Sequence, residues 1–269
     1  MVRRWAVSVT AGAVGSRTIS PLGSPPERGS PRTAGCAARP VELSQDGARG
    51  YIAVRAGRPG VVIAAPHGTS DPHTGAIAAE LARRTGFTLV VATGFSIEPD
   101  TRSAPGRRYQ VNRPREGVPG RPSSQEIVTA EAHSVYAAYE QRVREAAQGP
   151  LAFYVEIHGN NRREAAGRIE IATVGIDHDE ALRLRTLFEL VRDSHLASVP
   201  AAPPLDVRVG PADPLVYAAS GAKREGILRL PQRALHVELP RSARTQWQEL
   251  YTGVLAEFLT EAAALPAAR

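Results

Sequence analysis

Seven short apolar runs constrain the fold more than any other feature of this chain: Tyr51 to Val54, Val61 to Ala65, Phe87 to Thr93, Leu151 to His158, Arg168 to Val174, Leu205 to Val209 and Ala234 to Leu239. Each is strand-sized, and several are too continuously apolar to have a wet face. Between them lie stretches of helical spacing: Thr74 to Thr85, Ser124 to Ala147, a segment from Asp177 to about Ser198, and Thr245 to Ala264. Ser123 with Glu126 fits a capping box for the second of these, and Asp177 with Glu180 suggests another for the third. Strands alternating with helices predict an α/β three-layer sandwich around a mainly parallel or mixed sheet. Ligands in such sheets bind beyond the carboxyl ends of the strands. Residues 94–122, rich in Arg and Pro, read as a long surface excursion of a kind that often carries function.

Three of the strands acquire ionisable groups at or near those carboxyl ends. VVIAAPHG delivers His67 directly after its strand, LAFYVEIHG ends on His158, and ALHVELP carries Glu238 next to last. Side chains alternate along a strand, so Glu156 shares a face with His158, and His236 shares one with Glu238. Placing such groups in a covered sheet costs several kcal/mol unless they are paired or bound to metal. A polar pocket is the economical outcome. His67 and Asp71 are four residues apart across a turn, and His158 can reach them from a neighbouring strand. His nitrogens with a carboxylate oxygen are a common zinc set that leaves a position open for water. His73 reads as the start of the following helix, His133 and His195 as helix-face residues, and His178 as a helix start.

Composition removes competing classes. The net charge of +6 is concentrated at one end, because residues 1–50 hold seven Arg against three acidic residues. All but one of the 33 basic residues are Arg, which with abundant Ala, Gly and Pro points to genomic base composition rather than a selected basic surface. No basic stripe is interleaved with aromatics, so no nucleic acid partner is expected. No run reaches the length of a membrane span. Cys36 is the only cysteine, so a metal must be held by His and carboxylates. Neither a nucleophile elbow nor a P-loop is present. Residues 10–49 are too poor in bulky apolar side chains to fold, so a loosely attached tail over 1–49 and a hydrolase domain over 50–266 are expected. The start, with Ala11-Gly12-Ala13, is a poor export signal, and TAGC at Thr33 to Cys36 lacks the apolar segment of a lipoprotein leader. A cytoplasmic location is favoured over export on that basis.

Four motifs in order, PHGTSD, YQVNRP at Tyr109 to Pro114, YVEIHG and HVELPRS, resemble those of the N-formylglutamate amidohydrolase family and its poly-gamma-glutamate hydrolase relatives, within the zinc carboxypeptidase-like superfamily. IEIATVGID resembles the strand that follows the second histidine, and EIHGNN departs from the acid-then-His-Ser form expected there. The likeness spans Ile63 to Arg241 in motif order rather than continuous identity. It implies zinc held by His67, Asp71 and His158, Glu238 as general base and acid, and Arg113, supported by Asn112, holding a substrate carboxylate. Asn160 or Arg162, just past His158, is expected to steady the oxyanion. The implied activity is cleavage of an amide in an N-acyl amino acid or gamma-glutamyl compound, a small molecule or peptide with a free carboxylate. The alternatives are a zinc carboxypeptidase acting on peptide C-termini and a non-catalytic binding domain on the same fold.

Overall fold

The computed structural model describes residues 37–42, 49–97 and 106–265. The export-like start, TAGC with Cys36, and the rest of the expected tail lie outside the described residues, except for a strand within that tail, β1 (Ala37–Glu42), and Arg49. The chain continues through β2 (Arg49–Arg55), β3 (Arg58–Ala65), α1 (Thr74–Thr85), β4 (Phe87–Thr93), β5 (Ser96–Ile97), β6 (Arg107–Tyr109), β7 (Glu116–Gly117) and α2 (Ala130–Ala147). Then follow β8 (Phe153–Gly159), β9 (Arg168–Val174), α3 (His178–Leu196), β10 (Asp206–Val209), α4 (Ser220–Glu225), β11 (Arg233–Leu239), α5 (Arg241–Arg244) and α6 (Gln248–Ala264).

Eight strands form one mixed sheet in the order β1-β2-β4-β3-β8-β11-β9-β10. Its centre, β4-β3-β8-β11, is parallel throughout. β9 runs antiparallel to β11, and β2 antiparallel to β4. The connection 160–167 from β8 to β9 is too short for a crossover helix, so the chain must return in the opposite sense. The sheet is an α/β sandwich layer. Val155, Ile157, Val237 and Leu239 pack with α1, α3 and α6, whereas Val62, Ala64, Tyr154 and Ala234 pack with α2 on the other face. Two-residue periodicity therefore turns Glu156, His158, His236 and Glu238 toward the α2 side, at the carboxyl edge of the parallel centre.

Three local expectations are corrected. The helix expected from Ser124 starts at Ala130, with Thr129 Oγ1 accepting from Ala132 N at 3.0 Å. Ser123–Gln125 is a 3-10 turn, and Glu126 does not serve as a cap because Gln110 and Arg113 draw its carboxylate inward at 2.8 and 2.9 Å. At α3, Asp177 caps Glu180 N at 2.8 Å, but the Glu180 carboxylate pairs with Arg233 instead of completing a capping box. The last helix begins at Gln248 rather than Thr245, because α5 turns off beforehand and Thr245 leaves helical geometry (φ −126°, ψ −94°). The described part of the 94–122 excursion forms the small sheet β5-β6-β7, whose Tyr109, with the following Val111, is buried against the α2 face. No helix among the described residues is long and apolar enough to cross a membrane.

Losing the α3 cap exposes unpaired N–H groups. Asp177→Ala should lower stability by about 1 kcal/mol in a urea titration, with the slope unchanged.

Candidate metal centre

The strand β3 ends at Ala65, and the following loop is shaped to aim two side chains at one point. Asp71 N donates to the His67 carbonyl at 2.8 Å, one helical turn that puts both residues on the same side. Gly68 passes against β4, donating to Ala92 O, and a Cβ there would stand 2.8 Å from that oxygen. Thr74 Oγ1 closes the loop by donating to Asp71 O at 2.7 Å. His158 enters from β8, two strand positions beyond Glu156.

The distances separate two kinds of contact. His67 Nδ1 and His158 Nδ1 lie 3.4 and 3.5 Å from the same atom, Asp71 Oδ2. Both are long for hydrogen bonds. They match the edge of a zinc tetrahedron, roughly 3.3 Å for bonds of about 2.0–2.1 Å. The other nitrogen of each ring is engaged elsewhere: His67 Nε2 meets Gln110 O at 3.1 Å, and His158 Nε2 meets Glu156 Oε2 at 3.2 Å. These partners can only accept, so each Nε2 carries the hydrogen and each Nδ1 can offer its lone pair inward. The residues present thus fit a metal ion. Burial disfavours charge on His158, but Asp71 and Glu156 outweigh it and raise its pKa to about 10. Asp71, despite burial, is held far below the usual carboxylate range by His158 and His67. The cluster calls for positive charge, which a proton or a metal ion can supply.

Glu156, His158 and His236 form a second group close enough to be considered for a metal. There the contacts are hydrogen bonds. Glu156 is fully buried and accepts from His236 Nδ1 at 2.9 Å, His158 Nε2, Asn112 Nδ2 at 3.2 and 3.3 Å, and Tyr154 OH at 3.1 Å. Tyr154 is in turn bonded to Tyr139 at 3.0 Å. Donors already surround this carboxylate, and its pKa is depressed despite burial by His158 and His236. Its hydrogen bond fixes the His158 ring from behind.

On β11, His236 stands opposite Glu156 and Glu238 opposite His158, so the two strands present a diagonal grid of acids and imidazoles. His236 Nε2 contacts Glu238 Oε1 at 3.1 Å, and its ring stacks on His158 with centroids 4.0 Å apart. Glu238 lines a cleft of about 900 Å³ with His67, Asp71, His158, Arg113 and Arg162. Beyond it on β9, buried Glu170 accepts from the backbone of Val216 and Tyr217, fixing a loop whose Tyr217 ring lies 4.8 Å from the Arg162 guanidinium.

The expected substrate groups separate. Arg113 reaches the cleft, but its Nη2 donates to Glu126 at 2.9 Å, so its fork is already partly engaged. Asn112 faces Glu156 more than Arg113, from which it accepts only at 3.5 Å. Val111 before it adopts φ 52°, a strained choice for a β-branched residue that turns Gln110 O toward His67 and Asn112 toward Glu156. Arg162 lines the cleft. Asn160 does not: it is buried, and its side-chain amide meets no hydrogen-bond partner among the described residues. Of the two residues expected to face an oxyanion, Asn160 and Arg162, only Arg162 reaches the cleft. Sequence reasoning gave no role to Gln110, Glu170, Tyr217 or Arg244, and gave Glu126 only a capping role. Gln110 and Glu170 stand inside the quoted YQVNRP and IEIATVGID segments, and Glu170, an acid in an apolar strand, carries the same signal as Glu156.

No protein-family model matches the chain, and no curated protein matches it. Among solved structures, it is similar to a bacteriophage poly-gamma-glutamate hydrolase, at 14% identity and TM-score 0.42 over 80% of this chain and 88% of that one. A gene product from Agrobacterium tumefaciens matches at 18% identity and TM-score 0.44, over 79% of this chain and 92% of that one. A metallo-carboxypeptidase from Burkholderia cenocepacia matches at 12% identity and TM-score 0.41, over 84% of this chain and 65% of that one. At these values the likeness is one of chain trace. The N-formylglutamate amidohydrolase resemblance rests on the motifs alone.

Removing the Glu156 carboxylate leaves four buried donors facing a void. Glu156→Ala should destabilise the protein by about 3 kcal/mol in chemical denaturation, far more than a surface Glu→Ala control.

Proposed function

We propose that the chain is a zinc-dependent amidohydrolase that cleaves an amide bond in a carboxylate-bearing N-acyl amino acid or gamma-glutamyl substrate. The observation that carries this reading is the pair of Nδ1 atoms at 3.4 and 3.5 Å from one Asp71 oxygen, beside Glu238 and open to a cleft. His67, Asp71 and His158 hold the ion; with one carboxylate against a doubly charged cation, the set leaves net positive charge. When bound, zinc polarises a carbonyl and brings the pKa of water toward about 7.

The protein's own groups supply the rest. Glu238, held on one oxygen by His236, takes a proton from the attacking water and returns it to the leaving nitrogen as the C–N bond breaks. The water oxygen stays on the acyl carbon, and the products are a carboxylate and a protonated amine, which together retain both water hydrogens. Arg162, braced on Tyr217, faces the developing oxyanion, and Arg113 binds the substrate carboxylate by exchanging its contact with Glu126. A carboxypeptidase acting on peptide C-termini would use the same residues and differ only in the leaving group.

Metal analysis of purified protein should give about one zinc per chain, and His158→Ala should abolish it; a metal-free, fully active protein would sink the reading. Glu238→Gln should retain zinc while kcat falls by roughly a hundredfold to ten-thousandfold. A panel of N-formyl, N-acetyl and gamma-glutamyl substrates and C-terminal peptides, run with and without chelator, separates the amidohydrolase from the carboxypeptidase. Zinc binding with no turnover of any of them would instead indicate a binding domain.

A further inference from the structure

Arg244, the last residue of α5, is only 2% exposed. Among the described residues its hydrogen bonds go to amide-type oxygens rather than carboxylates. Nε donates to Leu239 O at 3.1 Å, Nη1 to Pro72 O at 2.8 Å, and Nη2 to Asn160 O at 3.2 Å and Asn161 Oδ1 at 2.8 Å. A buried guanidinium without a carboxylate partner is costly, so these contacts call for a reason. Burial lowers its pKa, while Asp71 and Glu238 act to raise it.

The three backbone acceptors share one property: each lies within two residues of the proposed centre. Pro72 follows Asp71, Leu239 follows Glu238, and Asn160 is two residues past His158. One planar fork therefore ties together the loops leaving β3, β8 and β11, a geometry that a lysine ammonium cannot reproduce. Gly159 makes the room. A Cβ at Gly159 would stand 2.6 Å from Arg244 Cζ and 2.8 Å from Nε and Nη1. The Gly159 N–H also donates to Asp71 Oδ2 at 3.3 Å, joining the two ligand loops directly. Arg244 does not line the cleft.

We propose that Arg244 is a positioning residue that sets the spacing between the His67–Asp71 loop, His158 and Glu238, and that glycine follows His158 to admit its guanidinium. The metal-affinity part rests on reading His67, Asp71 and His158 as ligands. The loop-tying part does not.

The test uses the full chain as Arg244→Lys, as Gly159→Ala, which displaces the fork while keeping the arginine, and as the double variant. In metal-free protein, amide exchange at Asn160, whose N–H is bonded to Leu239 O, should quicken in both single variants while exchange in the central strands stays as in wild type. Zinc dissociation constants from chelator competition should rise on the order of tenfold, with kcat lowered and KM little changed. The double variant should show less than the product of the single effects, since both break one fork. Wild-type exchange and zinc affinity in Arg244→Lys, or fully multiplicative effects in the double variant, would overturn the proposal. If Arg244→Lys fails to fold, Gly159→Ala alone decides, by the same local exchange. If the wild type binds no zinc, the metal reading fails, and exchange still decides the loop-tying role.

Discussion

The candidate centre depends on how two imidazole rings are held. Each has its Nε2 hydrogen committed to a fixed acceptor, the Gln110 carbonyl for His67 and the Glu156 carboxylate for His158. Each Nδ1 then faces Asp71. Were either outer acceptor lost, the ring could rotate or change tautomer, and the inward lone pair would no longer be assured. Much of the surrounding structure serves these acceptors. The strained Val111 backbone delivers Gln110 O, and the buried chain from Tyr139 through Tyr154, joined by Asn112, hydrogen-bonds the Glu156 carboxylate that His158 and His236 keep ionised despite burial.

The same constraint accounts for the unusual polarity of the sheet. A parallel centre covered on both faces is hostile to isolated charge, yet four ionisable groups lie side by side on β8 and β11. They are tolerated because acids and imidazoles alternate diagonally across the ladder, so each charge finds an opposite or hydrogen-bonding neighbour within 3.2 Å. His236 is the link, since it touches both Glu156 and Glu238. The proposed base is thereby connected to the carboxylate that orients a proposed ligand.

Much of this was legible in the sequence because strand periodicity is strict. That Glu156 and His158 share a face, and His236 and Glu238 another stretch of it, follows from their two-residue spacing, and the turn between His67 and Asp71 follows from their four-residue spacing. The parallel centre and flanking helices were likewise readable from alternating patterns. What was not readable depends on long-range partners. Glu126 has the spacing of a helix cap, but Gln110 and Arg113, distant in sequence, take its carboxylate. Asn160 sits where an oxyanion donor is expected, yet the chain turns it inward. Arg244 leaves no trace in the sequence, because its acceptors are mostly backbone carbonyls brought together only by the sheet.

In the proposed centre the metal sits between His67, Asp71 and His158 and not in the hydrogen-bonded cluster behind them. Anomalous diffraction at the zinc edge from crystals of the zinc-loaded protein tests it most directly. One site is expected, bound by the two Nδ1 atoms and an Asp71 oxygen at about 2.0–2.2 Å, with Glu156 and His236 outside the coordination sphere. A peak coordinated by Glu156 or His236, or zinc bound only at the surface, would contradict it.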